Sequence, residues 1–328
     1  MSVLVTGAGV IGGLTAELLA ARGERVVVID IRTPPSLPDG VTFETCDISD
    51  FDALANVLSR HGITRVIHTA AMLSTGIRKD PLSGIRVNVM GTANLLDLAR
   101  ETGLKRVVLA SSTTVAYTTF GGHGPGPMIE DEPLRLISQR PASLYAASKL
   151  AGEHLALLYR DLYGVDVVSL RYGAVIGGSL EHPTSVPGRL LAVLVAGVRA
   201  GKRVVLDDPL LLWGGREEFI DARDCARANL AALDAGAPKQ GVYNVASGHW
   251  HTLGEFVDAV RQNYPGLDVE FPHTINTGFA GFLQQRPAPS STGAAARELG
   301  FTAAYPLSTA IVYWAAPRAE ELRNDPTS

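Results

Sequence analysis

The chain has 328 residues, of which 46% are hydrophobic and 19% charged, and its formal net charge is −4. This composition is typical of a compact soluble protein with one large or two medium domains, and it excludes a disordered chain and a basic nucleic-acid-binding protein. The two cysteines, Cys46 and Cys225, are too few for a disulfide framework. The longest apolar run, around 190–198, falls well short of the ~20 residues of a membrane-spanning helix, and the N-terminus lacks a signal-peptide pattern. We therefore expect a cytoplasmic protein with no membrane or nucleic-acid partner.

The first thirty residues predict a strand, a glycine turn, a helix and a second strand. Val3–Val5 is a short apolar run that leads into the glycine cluster Gly7–Gly13. Leucines then recur at helical spacing up to Gly23, which is typical of a helix end. Val26–Ile29 is a continuous apolar run, as expected for a strand buried on both faces, and it ends at Asp30.

The same alternation continues to about residue 172. Further strands are predicted at Val41–Phe43, Arg65–His68, Arg106–Ala110 and Val165–Leu170. Further helices are predicted at Phe51–Arg60, Asn88–Glu101 and Tyr145–Tyr163. Repeated strand–helix alternation predicts an α/β fold, a Rossmann-type doubly wound parallel sheet with helices on both faces.

Beyond residue 172 the regularity weakens and prolines interrupt short segments, which indicates a smaller C-terminal substrate-binding lobe. We predict a dinucleotide-binding domain at 1–172 plus 213–246 and a substrate-binding lobe at 173–212 plus 247–328. A Gly/Pro-rich segment at 120–127 is predicted to be a loop, and long irregular loops in compact domains are usually functional.

The glycine turn has the spacing of a dinucleotide-binding motif. In Gly7-x-Gly9-x-x-Gly12, the first glycine allows a tight turn, the second lets the backbone approach a pyrophosphate, and the third permits close helix–strand packing. The following helix N-terminus offers free N–H groups to phosphates. Asp30, eighteen positions after the last glycine, suits hydrogen bonds from an adenosine ribose and favours NAD. Arg32 lies close enough to pair with a 2′-phosphate, so NADP stays open.

A second group of residues carries the predicted chemistry. Tyr145 and Lys149 are four apart at a helix start and therefore share one face. A phenol with a pKa near 10 is a poor base, but a neighbouring ammonium and a cationic nicotinamide both favour the phenolate. Ser111 and Ser112 end a predicted strand, where doubly wound sheets place ligands. A serine hydroxyl there can bond the same substrate oxygen as Tyr145, or simply cap the strand end.

Taken together, the motifs resemble the extended short-chain dehydrogenase/reductases, the NAD-dependent epimerase/dehydratase group that includes UDP-galactose 4-epimerase. Besides the glycine turn and Asp30, the resemblance rests on Asp47-Ile48, His68–Ala71, Asn88 with Gly91-Thr92, Ser111–Val115, Tyr145 to Lys149, Gly215–Ile220 with Asp224, Tyr243–Val245 and Arg286-Pro287. It covers nearly the whole chain.

The resemblance implies roles for individual residues. Tyr145 is the acid/base, Lys149 orients the nicotinamide ribose and lowers the phenol pKa, and Ser112 contacts the substrate oxygen. The implied cofactor-binding residues are Gly7, Gly9, Val10, Ile11, Gly12, Asp30, Asp47, Ile48, Ala70, Ala71, Asn88, Tyr145 and Lys149. The implied substrate-binding residues are Ser112, Thr113, Arg216 and Arg286. The helix that begins at Asn88 and the Tyr145 helix commonly form the family's dimer interface, so a homodimer is expected.

The sequence departs from the family pattern at several points. Its glycine turn is one residue shorter than the usual TGxxGxxG. Thr113 and Thr114 stand where sugar 4,6-dehydratases have an Asp-Glu pair, so dehydration is disfavoured. Gly173, after Arg171-Tyr172, ends the match to the epimerases' R-Y-F-N-P motif, whose asparagine holds the nucleotide sugar.

The two predicted substrate arginines leave the substrate class open. Arg216 and Arg286 match the pair that brackets a diphosphate in UDP-sugar enzymes, yet guanidinium groups bind phosphate and carboxylate equally well. The alternative for either arginine is a surface ion pair with a neighbour such as Glu217 or Glu218.

The leading hypothesis is therefore an NAD-dependent epimerase or dehydrogenase that transfers a hydride between a sugar-like secondary alcohol, a nucleotide sugar or a related compound, and nicotinamide. The alternative is a net dehydrogenase or reductase of a small sugar acid, polyol or hydroxy acid. A non-enzymatic NAD(P)-sensing module is disfavoured because Tyr145, Lys149 and Ser112 are all intact. No metal site is expected, since His249 and His251 have no third ligand nearby in the sequence.

Overall fold

The computed structural model describes residues 2–138 and 143–316. The strands in this part of the chain are β1 Ser2–Thr6, β2 Arg25–Asp30, β3 Thr42–Thr45, β4 Ile63–His68, β5 Arg106–Ser112, β6 Val167–Tyr172, β7 Ala174–Ile176, β8 Val204–Val205, β9 Glu217–Asp221, β10 Val242–Val245, β11 Trp250–His251 and β12 Val269–Glu270. The α-helices are α1 Val10–Ala21, α2 Phe51–His61, α3 Ser74–Lys79, α4 Pro81–Ile85, α5 Gly91–Thr102, α6 Leu144–Tyr163, α7 Val186–Arg199, α8 Ala222–Asp234, α9 Leu253–Arg261 and α10 Leu307–Ala315.

A parallel sheet forms the centre of the molecule. Its strand order is β10-β6-β5-β4-β1-β2-β3, and every neighbouring pair in it is parallel. The continuous apolar runs of β1 and β2 are almost completely buried, because helices cover both faces of the sheet. The order reverses beside β1, which opens a crevice at the carboxyl ends of the strands. The predicted Rossmann-type doubly wound sheet is confirmed.

The predicted helices and strands of the N-terminal half are present, with small shifts at their ends. The strand predicted from Val165 begins at Val167. The helix predicted from Asn88 begins as an α-helix at Gly91, because Asn88 lies in a π-turn at Arg86–Met90 that joins α4 to α5. Such π-turns often occur at functional sites.

A smaller group of elements packs on one side of this sheet. β7, β9 and β11 form a second sheet, and β8 pairs with β12. An apolar core around Trp213, Phe219 and Phe256 joins them to α7, α9 and α10. β9 falls within the range predicted for the dinucleotide-binding domain yet pairs with β7 and β11, whereas α8, which follows it, packs against α1. The division into two domains stays a prediction.

The segment predicted to be a loop at 120–127 begins with a 3-10 turn at Phe120–Gly122. Phe120 is buried with Tyr117, Met128 and Ala288 in a small apolar cluster. This cluster ties the segment to the C-terminal part of the chain. Across 2–138 and 143–316, no helix combines the length and the hydropathy that crossing a membrane requires.

Candidate active site

The glycine turn joins the end of β1 to α1. Gly7 has φ +87°, and a Cβ on it would lie 2.7 Å from the backbone nitrogen of Ala70. A Cβ on Gly12 would lie 1.9 Å from the carbonyl oxygen of Gly7, so only glycine allows α1 to approach the strand this closely. α1 begins at Val10 after Gly9, with no side-chain cap and no acidic residue in its first turn. Its N-terminal N–H groups, including that of Ile11, are therefore available to an anion.

Asp30 ends β2 beside this turn. Its carboxylate accepts hydrogen bonds from the backbone N–H of Ala8 at 2.8 Å and of Arg32 at 3.1 Å. The carboxylate is thus fixed directly against the glycine turn, where sequence reasoning places the adenosine ribose. The Arg32 side chain is exposed.

Asp47 and Ile48 lie just beyond β3. The Asp47 carboxylate accepts bonds from the backbone and the hydroxyl of Ser49, both at 2.8 Å, and the residue is exposed. Ile48 is 5% exposed and packs so closely on Gly91 that a Cβ there would lie 2.6 Å from its side chain. Asn94 donates to the Ile48 carbonyl at 3.1 Å. The pair is therefore held firmly at the rim of the crevice.

The buried side chain of Asn88 holds the segment that follows β4 in place. Its side-chain amide accepts a bond from the backbone N–H of Met72 at 2.7 Å and donates to the Met72 carbonyl at 3.0 Å. It also donates to the Ser148 hydroxyl at 3.0 Å. Asn88 is 3% exposed, so it ties the half-buried Ala70 and Ala71 to α6.

The two serines at the end of β5 have different partners. The Ser111 hydroxyl donates to the buried carboxylate of Glu153 at 2.7 Å, and the same carboxylate binds the Arg171 guanidinium. The Ser112 hydroxyl accepts a bond from the backbone N–H of Thr114 at 3.3 Å, and its interaction with the Tyr145 phenol lowers the pKa of that phenol. Ser112 is therefore the serine that faces Tyr145.

Thr113, predicted to contact the substrate, is 6% exposed. It begins the 3-10 turn Thr113–Ala116 that follows β5. The hydroxyl oxygen of Thr114 in the same turn is buried and has no hydrogen-bond partner among the residues described.

Tyr145 and Lys149 lie on the first turns of α6, which starts after the capping residue Ser143. The Lys149 ammonium is buried, donates to the Ala110 carbonyl at 2.8 Å and lies 5.9 Å from the centre of the Tyr145 ring. The structure thus brings the predicted group of Ser112, Tyr145 and Lys149 together at the carboxyl end of β5.

The expected lowering of the Tyr145 pKa is not found in the protein chain by itself. Burial raises the pKa of the Tyr145 phenol to about 12, and the hydrogen bond with Ser112 lowers it by less than burial raises it. Burial also lowers the pKa of the Lys149 ammonium to about 8. The ammonium bonds the Ala110 carbonyl. Burial is the largest cause of the pKa shifts of both Tyr145 and Lys149. A positive charge placed beside the phenol is what would bring its pKa down.

The two arginines predicted to bind substrate are engaged by carboxylates. Arg286 is 5% exposed and donates to Glu217 at 3.3 Å and to Glu218 at 2.9 Å. Arg216 is half-buried and forms a two-bond ion pair with Glu255, at 2.9 and 3.0 Å. The ion pair foreseen with Glu217 or Glu218 exists, but it is buried and belongs to Arg286. Neither guanidinium is presented free to a diphosphate, and their role in substrate binding stays a prediction.

Sequence reasoning missed an aromatic cluster that follows the turn after Ser112. Tyr117 follows the turn after Ser112, and its ring lies 4.0 Å from that of Phe282 and 4.8 Å from that of Phe120. The only local signal for Tyr117 is its position five residues after Ser112. Nothing local marks Phe282, because a distant loop brings it to the site.

The residues at the crevice fit a dinucleotide. The free N–H groups of α1 match a pyrophosphate, and the open space beside Gly9, where a Cβ would meet nothing within 4 Å, leaves room for it. Asp30 matches a ribose, and the group around Tyr145 lies at the next strand ends along the same edge. Bound NAD would supply the hydride acceptor and a positive charge at its nicotinamide ring.

Comparison with known proteins agrees with this geometry. The model of the NAD-dependent epimerase/dehydratase family matches residues 3–246. A UDP-glucose 4-epimerase of Lacticaseibacillus casei is 31% identical over 290 residues, 84% of each chain. The structure of the Thermus thermophilus UDP-glucose 4-epimerase in complex with NAD superposes with a TM-score of 0.76 at 30% identity, covering 99% of this chain and 100% of that one. An L-threonine dehydrogenase from Cupriavidus necator superposes with a TM-score of 0.78 at 27% identity, covering 96% and 98%. The chain therefore belongs to the NAD-dependent epimerase/dehydratase family of extended short-chain dehydrogenase/reductases and is an NAD-dependent enzyme of that type.

Proposed function

We propose that the protein transfers a hydride between a small, sugar-like secondary alcohol and NAD, with Tyr145 as the acid/base. The observation that carries this proposal is the placement of the Ser112 and Tyr145 hydroxyls beside the buried ammonium of Lys149, which lies 5.9 Å from the centre of the Tyr145 ring. Two hydroxyls placed in this way can both reach one substrate oxygen. Ser112 then holds that oxygen, and Tyr145 takes or returns its proton.

Lys149 has two tasks in this arrangement. Its bond to the Ala110 carbonyl fixes the ammonium against β5. Its other N–H groups bond no residue of 2–138 or 143–316 and can hold the cofactor ribose. Because burial raises the pKa of Tyr145 to about 12, the phenol is protonated in the chain alone. Proton acceptance from an alcohol therefore depends on the charge of the oxidised cofactor, which couples the acid/base step to cofactor binding.

The ion pairs of the two arginines support a net dehydrogenase of a small alcohol over an enzyme acting on a nucleotide sugar. Arg286 is buried between Glu217 and Glu218, and a diphosphate at that position would have to displace a carboxylate. Arg216 is at the surface with Glu255. The small alcohol that we propose is a polyol or a related compound.

The second candidate is an epimerase that acts on a nucleotide sugar and retains its NAD. It is favoured by the relatives named UDP-glucose 4-epimerase, at 31% identity and 30% identity. A module that only senses NAD is not supported, because the group of Ser112, Tyr145 and Lys149 is complete and assembled.

The proposal is tested with Tyr145→Phe. We expect the wild type to form NADH, read at 340 nm, with at least one member of a panel of polyols, amino alcohols, sugar acids, hydroxy acids and UDP-sugars. The variant should lose about 100-fold or more in kcat, the usual contribution of a general acid/base. Tyr163→Phe, at the exposed end of the same helix, is the matched control and should keep full activity.

Two results would count against this assignment. If Tyr145→Phe keeps more than a few per cent of turnover while binding NADH normally, Tyr145 is not the acid/base. If the absorbance stays flat and chromatography shows an isomerised UDP-sugar, the enzyme is an epimerase and the second candidate holds.

A further inference from the structure

Three charged side chains form a buried cluster at the start of β9. Arg286 is enclosed by Glu217, which is 2% exposed, and Glu218, which is fully buried. Both oxygens of Glu218 have partners, since one accepts from the backbone N–H of Gly248 at 3.1 Å and the other from Arg286 at 2.9 Å and the backbone N–H of Ser290 at 3.0 Å. These hydrogen bonds offset the cost of burying Glu218, and they fix β9 to the segment around 286–290.

Glu217 differs from Glu218 because only one of its oxygens is used. Oε1 accepts from the backbone N–H of Glu218 at 2.9 Å and from Arg286 at 3.3 Å. Oε2 makes no hydrogen bond to any residue in the described part of the chain. Glu217 is 2% exposed, and Oε2 is not among the fully enclosed atoms that lack a partner, so it keeps contact with accessible space. This oxygen is therefore a candidate contact for a ligand.

The surroundings of Glu217 place that oxygen beside the catalytic group. The Tyr117 ring packs on Phe282, and its hydroxyl, like Glu217 Oε2, has no hydrogen-bond partner among the described residues. Burial raises the pKa of Tyr117, and the neighbouring Glu217 carboxylate and, to a lesser extent, the Tyr145 phenol raise it further. The Arg286 guanidinium that binds Glu217 lies 5.8 Å from the centre of the Phe120 ring, and that ring lies 4.8 Å from the Tyr117 ring. Tyr117 directly follows the turn Thr113–Ala116, which comes after Ser112 and packs against α6, the helix of Tyr145.

We propose that Glu217 Oε2, together with the Tyr117 hydroxyl, determines substrate specificity by binding a hydrogen-bond donor that the substrate carries near its reacting alcohol. This inference rests on the proposed hydride transfer at Tyr145. The donor is a second hydroxyl or an ammonium group, so the substrate is a neutral polyol or an amino alcohol.

The charge of the cluster disfavours substrates that carry a phosphate or a carboxylate near the reacting alcohol. Burial raises the pKa of Glu217, and the ion pair with Arg286 opposes that shift. While Glu217 is ionised, its carboxylate and that of Glu218 together carry one more charge than the Arg286 guanidinium. A phosphate or carboxylate on the substrate would be repelled there, whereas a hydroxyl or ammonium group would satisfy the free oxygen. Specificity thus comes from both attraction and repulsion.

The experiment compares wild type, Glu217→Gln and Tyr117→Phe on matched substrates, with neutral polyols, amino alcohols, hydroxy acids and UDP-sugars as separate arms. The wild type should turn over polyols or amino alcohols, and the preferred arm tells a hydroxyl from an ammonium donor. Glu217→Gln should raise KM about tenfold or more with a smaller change in kcat, since a hydrogen bond to a charged group is lost. Tyr117→Phe keeps the ring packing and should raise KM by less.

Glu270→Gln, the same change at an exposed position of β12, is the matched control and should leave KM unchanged. NADH binding and thermal melting show whether each variant is folded. If Glu217→Gln does not fold, the KM of Tyr117→Phe is the test. A wild type that prefers hydroxy acids or UDP-sugars, or an unchanged KM in both folded variants, overturns this inference alone. Failure of the wild type on every alcohol overturns the proposed function as well.

Discussion

His68 ends β4 inside the protein, 2% exposed, between two threonine hydroxyls. Its Nδ1 lies 2.6 Å from Thr6 Oγ1 and its Nε2 lies 3.2 Å from Thr92 Oγ1. The Thr92 hydroxyl donates to the Asn88 carbonyl, so it accepts from Nε2–H, and the Thr6 hydroxyl then donates to Nδ1. This arrangement needs the neutral imidazole and has no acceptor ready for a second ring proton.

Folding should therefore become less favourable as the pH falls. Burial, and to a smaller extent the charge of Lys149, lower the pKa of His68 from 6.5 to about 3. The unfolded chain binds a proton below pH 6.5 and the native chain does not, so stability is full above that pH and is lost as the pH decreases through it. Between pH 7.5 and pH 5.0 the loss from this one residue is about 2 kcal/mol, at about 1.36 kcal/mol per pKa unit.

The measurement is urea unfolding of wild type and His68→Asn at pH 7.5 and 5.0. Asparagine keeps an acceptor for Thr6 but does not titrate. The variant is expected to be less stable at pH 7.5, because packing is lost, and to lose about 2 kcal/mol less than the wild type on acidification. His182→Asn, at an exposed position, should follow the wild type. Equal losses in wild type and His68→Asn would show that His68 does not cause the loss of stability on acidification.

Two further predictions concern the glycine turn and the outer surface of α6. Gly12→Ala should weaken NAD binding or prevent folding, since its Cβ would lie 1.9 Å from a backbone oxygen, whereas Gly13→Ala, with nothing within 4 Å, should be neutral or slightly stabilising. A Cβ on Gly9 would also have no atom of the protein within 4 Å, so Gly9→Ala should melt like the wild type yet bind NAD more weakly. Equal melting and equal NAD affinity in all three variants would contradict a role of this turn in NAD binding. We also predict a homodimer through α5 and α6, because Leu158 and Leu162 are 52% and 62% exposed. Size-exclusion chromatography at micromolar concentration should give twice the chain mass of 34.7 kDa. A monomeric wild type, or a Leu158→Glu/Leu162→Glu variant that stays dimeric, would reject this interface.

The central sheet could be predicted from the sequence because its signals are local. Strands buried on both faces read as continuous apolar runs, and Val26–Ile29 is such a run. Helix ends are marked by residues with a specific task, such as Gly164, which closes α6 in the left-handed conformation. Gly7 and Gly12 carry their own signal, since the turn between β1 and α1 leaves no room for a side chain.

The smaller sheet could not be predicted in the same way. β7, β8, β11 and β12 are two or three residues long, too short for an alternating pattern to show. β7 pairs with β9 across some forty residues of intervening chain, so no turn between neighbouring segments indicates their pairing. Packing on the large sheet decides where these strands lie.

The charges around β9 show the same limit at the level of single residues. Adjacent opposite charges in the sequence suggest a local ion pair, and Arg216 next to Glu217 is such a case. In the fold, Arg216 turns outward to Glu255, while Arg286 arrives from 69 residues further along the chain to neutralise Glu217 only in part. A motif that resembles a diphosphate clamp thereby becomes a buried cluster of two carboxylates around one guanidinium. The substrate class that we propose follows from this pairing, which only the three-dimensional structure reveals, and not from the presence of the two arginines.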